Sequence, residues 1–286
     1  MPTYGLSTWS LHRTLGVAYA DSPSQPRTDA PEPRWGLPQL SLLDLPANLR
    51  SRYLTDLQLC HFHLPSRSPA YLADLRAALA ASHITLDALL VDDGDLTHPL
   101  HASRDRDWIA SWIDTAAALG ARYVRLIAGK QPPSESALAT SAQHLLTLAH
   151  HASSGGVQVV IENWMALLPT PTELVDLLTR THPHVKLCFD FGNWSGPDKY
   201  DHLAAIAPHA VAAHAKCAFP APFAPDAQDF QRCCHLLRAA SFSGTLALIY
   251  DGPHPDEWAH LALERALAIA AFTPDKSPPP VPPTEP

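Results

Sequence analysis

Eight short runs of mostly aliphatic residues recur along this chain, and longer segments of helical periodicity lie between them. The runs cover residues 4–9, 56–61, 84–90, 123–128, 157–162, 185–190, 210–215 and 245–250. Between them, alanine- and leucine-rich stretches such as 69–81, 105–119, 134–152, 172–181, 226–240 and 256–271 place apolar residues three and four apart, the spacing of an amphipathic helix. Helix starts are legible too. Thr170-Pro171-Thr172-Glu173 supplies a capping hydroxyl, a proline for the first turn and an early acid. Strands that alternate with helices imply parallel βαβ units.

Such units close into a barrel or stay open as a doubly wound sheet, and the polar residues distinguish the two. Glu162, Asp190, His214 and Asp251 each stand at or just past the C-terminal end of a different run, where a barrel collects reactive groups from several strands. A dinucleotide-binding sheet would carry GxGxxG after its first strand, and no such motif follows residues 4–9. The expected fold is therefore α/β, a single-domain (β/α)8 barrel over residues 1–272. The 286 residues accommodate a barrel of about 250 with some trimming.

Two stretches break the rhythm. Residues 20–38 are proline-rich and too long for an ordinary connection, so they read as an extended first βα loop, a candidate lid. Residues 273–286, TPDKSPPPVPPTEP, cannot build a core and read as a disordered or polyproline tail. No apolar run approaches the roughly 20 residues of a membrane span. The first residues lack the order of a secretory signal, which makes the cytoplasm the expected location. Five widely spaced cysteines in apolar segments suit reduced, buried thiols. A formal net charge of -8 argues against nucleic acid as a main partner.

The chemistry concentrates in three strand ends, VQVVIENW, VKLCFDFGNW and AVAAHAKC. Each apolar run terminates in one ligand-capable residue: Glu162, Asp190 and His214. Two carboxylates and an imidazole suit Mn²⁺, Mg²⁺, Co²⁺ or Zn²⁺, with positions left for substrate oxygens. Lone carboxylates often just cap helices, but three at consecutive strand ends favour a metal. The second run ends CHFHLP. Strand alternation puts His61 and His63 on one face, and His63, nearer the mouth, is assigned to substrate contact. Trp9 and Trp164 offer flat walls for a ligand, and Lys216 shares a strand face with His214. The acidic loop with Asp92, Asp93 and Asp95 reads mainly as turn chemistry, with a minor role as a site wall.

At ENW, DFGNW and HAKC, with STWSLHRTLG, CHFHLPS and LGARYVRLIAG, the sequence resembles the xylose isomerase-like TIM-barrel superfamily, the sugar phosphate isomerase/epimerase group. The resemblance implies a divalent ion held by a Glu on strand five, an Asp on strand six, a His on strand seven and a Glu on strand eight. The first three map to Glu162, Asp190 and His214. In TLALIYDGP the fourth position is Ile249, which neither ligates nor takes a proton. Asp251, two residues on, is the expected replacement as both ligand and acid-base partner of Glu162. Asn193 stands where many relatives carry a His and is expected to contact substrate.

The resemblance thus implies a metal-dependent isomerase or epimerase of a sugar or sugar-like polyol, working through an enediolate. Glu162 and Asp251 would move protons and Lys216 would steady an oxygen. The alternative is a divergent barrel, either a binding protein or a metal-dependent lyase or hydrolase, motivated by Ile249. A small-molecule partner is expected, and monomer and homo-oligomer are equally compatible with the sequence.

Overall fold

The computed structural model describes residues 1–273, so most of the proline-rich segment expected at 273–286 lies outside the described residues. Eight strands form a closed, all-parallel ring: β1 (Thr3–Ser7), β2 (Asp56–Cys60), β3 (Thr85–Leu90), β4 (Tyr123–Leu126), β5 (Gln158–Glu162), β6 (Val185–Asp190), β7 (Ala210–Lys216) and β8 (Thr245–Ile249). Each strand pairs with its sequence neighbours. The ring closes where β1 lies between β8, through Gly5 and Ala247, and β2, through Leu6 and Leu57. Helices surround it, among them Pro69–Ala81, Ala102–Leu119, Glu135–Ser154, Pro171–Thr181, Ala227–Ala239 and Glu257–Phe272. The chain is thus a single-domain (β/α)8 barrel. Among the described residues, no helix is long and apolar enough to cross a membrane.

The strands form where they do because both of their faces are covered. A parallel strand packed between barrel interior and helices has no wet face, so it reads as a near-continuous apolar run. Every residue of β2 and of β8 is buried. Several helices start where the sequence offers a cap: Thr170 accepts the Thr172 amide, and its hydroxyl donates to Glu173. All five cysteines are free and buried.

After β1 the chain departs from simple alternation. Ser7 Oγ accepts the Trp9 amide and starts a 3-10 turn at Thr8–Leu11, which ends the strand two residues short of the expected 4–9. Gly16, at φ +74°, then redirects the backbone. A Cβ there would lie 2.7 Å from the Leu37 and Pro38 backbone, so only glycine fits. Ala18–Tyr19 and Pro31–Glu32 pair as a short antiparallel ribbon. The segment is anchored to the helix Ala102–Leu119, because Trp108 Nε1 donates to Asp21 (2.7 Å) and the Arg27 guanidinium packs over the Trp112 ring (5.6 Å). From the other end of the chain, Glu257 accepts the Arg13 and Thr14 amides at 2.9 Å each and the Thr14 hydroxyl at 2.8 Å.

One buried acid does not fit this pattern of satisfaction. Glu264, on the helix Glu257–Phe272, is fully buried, and neither carboxylate oxygen meets a hydrogen-bond partner among the described residues. Burial, helped by the charge of Asp251, raises its pKa well above the usual range. A carboxyl whose pKa is raised on folding adds stability below its unfolded value, near 4.5, and that contribution is lost as the pH climbs toward the folded value. Glu264→Met should therefore raise stability at neutral pH by about 1–3 kcal/mol, the cost of an unsatisfied buried polar group. Melting curves at pH 4.5 and 7.5 check this: the Tm advantage of the variant should widen with pH, and an equal gap at both contradicts it.

Candidate metal centre and its cavity

Glu162 closes β5, Asp190 closes β6 and His214 lies near the end of β7, so the barrel brings all three to its C-terminal rim. The register places Asp190 directly opposite His214 and sets Glu162 opposite Cys188. His214 Nδ1 stands 3.4 Å from Glu162 Oε1 and 3.8 Å from Asp190 Oδ2, and the ligand-capable atoms of the trio all fall within 4.8 Å of one another. Atoms bound at about 2.1 Å to one ion are separated by about 3.0–3.4 Å at ordinary coordination angles. The trio is therefore close to the spacing that a single divalent cation imposes.

The surroundings orient each group. Asp190 Oδ1 accepts the Gly192 and Asn193 amides at 2.7 Å each, which leaves Oδ2 to face His214. Asn163 bonds the Asp190 backbone in both directions, at 3.1 and 2.7 Å. Inside the barrel, His214 Nε2 lies 2.8 Å from Gln58 Oε1, Gln58 Nε2 donates to Asp87 (2.9 Å), and the Thr245 hydroxyl donates to the other Asp87 oxygen (2.8 Å). Because the Gln58 amide nitrogen is committed to a carboxylate, its oxygen must face the imidazole. His214 Nε2 then keeps its proton on Gln58, and Nδ1, which faces the carboxylates, is the nitrogen left for a metal once its own proton has gone. A ligating histidine needs such an outer partner to fix its tautomer and orientation.

Electrostatics agree with a cation site. Burial opposes the charge on Glu162, but His214 and Arg125 outweigh it and hold its pKa down, to about 2. Burial raises the pKa of Asp190, and the Glu162 charge raises it further. Burial also opposes a charge on His214, yet the neighbouring Cys188 and Glu162 raise its pKa well above the ordinary value. Burial keeps Cys188 a neutral thiol, so the Glu162 carboxylate is the anion that matters. Without a metal His214 holds a second proton that a dication would displace, as metal sites generally do. The donor set, its spacing and the fixed tautomer all fit a divalent ion.

The trio sits in a cavity of about 500 Å³ lined in part by Trp9, Trp164, Asn193, Lys216 and Ile249. Tyr19, Asp21, Ser22, Gln25 and Arg34, from the long segment after β1, complete its outer wall. Lys216 Nζ lies 3.5 Å from Asp251. Burial disfavours its charge, but Asp190, Asp251 and Glu162 outweigh that and raise its pKa, so it stays an ammonium. Asn193 Nδ2 donates to Glu162 Oε1.

Two assignments are corrected. Asp251 does not join the trio. β8 ends at Ile249, so strand alternation no longer governs residue 251, and the Asp251 side chain is 41% exposed and turned to Lys216. The β8 side of the cavity is the aliphatic Ile249. His63 does not line the cavity either. Residues His61–His63 form a 3-10 turn, so the two histidines do not share a strand face. His61 lines the cavity, whereas His63 is buried against Trp35 and Phe62 with Nδ1 3.0 Å from the Thr8 hydroxyl. Burial pushes its pKa down to about 3.

Sequence reasoning missed Arg125. From β4 it pairs with Asp92 and lies 3.2 Å from Glu162 Oε2, with its guanidinium 5.1 Å from the Trp164 ring centroid. His61 Nδ1 in turn accepts the Asp92 amide (3.2 Å). Asp92 and Asp93 line the cavity, while Asp95 turns away to cap Thr97 and accept the Lys130 amide. The signal for Arg125, Gln58 and Asp87 was present: each interrupts an otherwise apolar strand, where a charge or amide is retained only when it is paired.

The closed parallel ring and the cluster of ligand-capable groups on its C-terminal rim define a (β/α)8 barrel with a candidate divalent-cation centre. Residues 53–268 match the family described as xylose isomerase-like TIM barrel, and the chain belongs to that family. No curated protein is detectably similar in sequence. Among solved structures, the chain is similar to a xylose isomerase-like TIM barrel protein from Mycobacterium smegmatis in complex with magnesium. The identity is 14%, the TM-score 0.65, and 96% of this chain and 98% of that one are covered. It is also similar to 3-keto-D-glucoside 4-epimerase from E. coli (12% identity, TM-score 0.65, 93% and 100% covered) and to a D-psicose 3-epimerase studied with D-fructose (15%, 0.66, 94% and 98%). At these identities the likeness shows the fold.

Gln58→Met should leave the barrel folded but weaken Mn²⁺ binding about 10–100-fold, the usual cost of losing a histidine's outer partner. Titration calorimetry, with circular dichroism as a control for folding, measures it. Unchanged affinity would mean that Gln58 does not orient His214.

Proposed function

We propose that this protein is a metal-dependent enzyme of the isomerase/epimerase type acting on a sugar or sugar-like polyol through an enediolate. The observation that carries the reading is the buried trio of Glu162, Asp190 and His214 in the wall of a cavity at the barrel mouth. The family membership and the sugar epimerases among similar structures support the substrate class. When bound, a divalent ion (Mn²⁺, Mg²⁺, Co²⁺ or Zn²⁺) supplies Lewis-acid polarisation of the substrate's adjacent oxygens.

The chain's own residues do the rest. Glu162, held ionised, takes the proton from the carbon beside the carbonyl. The Lys216 ammonium donates to a substrate oxygen and balances negative charge that develops there. Arg125, paired with Asp92, keeps Glu162 Oε2 in place, and Asn193 restrains Oε1. The walls formed by Trp9, Trp164 and the segment after β1 position the substrate and exclude water.

Ile249 favours one variant within this class. A two-base epimerisation needs a second proton-transfer group facing Glu162 across the carbon, and the β8 wall offers an alkyl chain. An aldose–ketose isomerisation, or a lyase that eliminates from the same enediolate, needs only one base at the carbon. Incubating the Mn²⁺-loaded protein with ketoses and inosose-like compounds in heavy water tests the reading. Deuterium should enter at the carbon next to the carbonyl, and Glu162→Gln should slow that exchange by about 10²–10⁴-fold. No exchange with any compound would remove the enediolate reading.

A further inference from the structure

The metal cavity is not the only compartment at this rim. A second hollow of about 360 Å³ adjoins it and shares Trp164, Met165 and Asn193 with it. Its remaining walls are Leu168, Pro169, Trp194, Ser195 and His202, contributed by the segments that follow β5 and β6. We infer that this hollow is a subsite for the second ring of a glycoside, whose reacting ring lies in the metal compartment. The inference rests on the sugar reading above and names the substrate class of that site.

Continuity is the first argument. Trp164 stands in both compartments, and it is held there: Arg125 packs over its ring, and its amide donates to the Glu162 carbonyl at 2.7 Å. Met165 follows at φ +67°, a left-handed conformation that a non-glycine residue adopts at a cost and that recurs at ligand sites. The same turn thus sets Glu162 and the partition between the hollows. A ligand gripped by Glu162 has its far end delivered past Trp164.

The wall chemistry is the second argument. Among the described residues no Lys, Arg, Asp or Glu lines the second hollow, so it offers no cationic fork or ammonium to match a phosphate or carboxylate. Its exposed wall is mostly polar, with groups on Asn193, Ser195 and His202 beside the Trp164 indole. Trp194 is fixed by its Nε1–H bond to the Leu168 carbonyl (3.0 Å) and by the edge of His202. A mostly polar wall beside a fixed indole suits a flat ring that carries hydroxyls. Size is the third. The metal cavity already falls within the range of about 300–1,000 Å³ that holds a small ligand, so the added space calls for a second group rather than a larger single ring.

Calorimetry on the Mn²⁺-loaded and the metal-free protein tests this with D-glucose, D-galactose and D-mannose against their phenyl glycosides and cellobiose. At least one two-ring compound should bind 10-fold or more tightly than its parent sugar. Ser195→Trp, an exposed position that would plug the second hollow, should erase that gain and leave the parent sugar's affinity unchanged. Ser195→Leu is a smaller plug for the same readout should tryptophan perturb the loop. Equal affinity for one-ring and two-ring compounds throughout, or a gain that survives both plugs, overturns the inference. Failure to retain Mn²⁺ would instead strike the metal-dependent reading, because the ratio of affinities is also read without metal.

Discussion

Closure of the parallel ring is the constraint on which everything else depends. With β1 seated between β8 and β2, no strand edge remains in the ring, and all eight C-terminal ends open onto one rim. Glu162, Asp190 and His214 are far apart in sequence, yet the ring makes their strands neighbours. A slip of one residue in the β6–β7 register would turn one partner of the Asp190–His214 pair to the other face of the sheet. The site is thus a property of the register as much as of the residues.

Within that frame, buried charge is tolerated because it is organised. Arg125 sits between Asp92 and Glu162, and Gln58 links His214 to Asp87 and so to Thr245 on β8. Each link fixes a donor or acceptor that would otherwise be free to reorient, and removal of one member leaves its neighbours buried and unpaired. These chains join β2, β3, β4, β5, β7 and β8 to the trio, so that strands which contribute no ligand still determine its geometry. Glu264 is the contrasting case, an acid buried without such a partner.

Much of this was legible in the sequence because apolar periodicity reports burial directly. β6 begins and ends at the expected residues, 185 and 190, since the apolar run is bounded by a His-Pro-His segment on one side and by Gly-Asn on the other. Where alternation was carried past a strand's true end, it failed. At His61–His63 a 3-10 turn has a period near three, and beyond Ile249 the chain leaves the sheet, which misplaced His63 and Asp251. Trp9, Trp164, Asn193 and Lys216 all line the cavity, since they lie at or close to a strand terminus. Arg125 escaped because its role depends on Asp92 and Glu162, partners supplied by other strands.

The account's central claim is that one divalent ion binds between β5, β6 and β7, with His214 ligating through Nδ1. An anomalous difference map at the manganese edge, from crystals grown with Mn²⁺, tests it directly. The account predicts a single strong peak within bonding distance of Glu162, Asp190 and His214 Nδ1, with Nε2 still bonded to Gln58. An absent peak, a peak elsewhere, or ligation through Nε2 would contradict it.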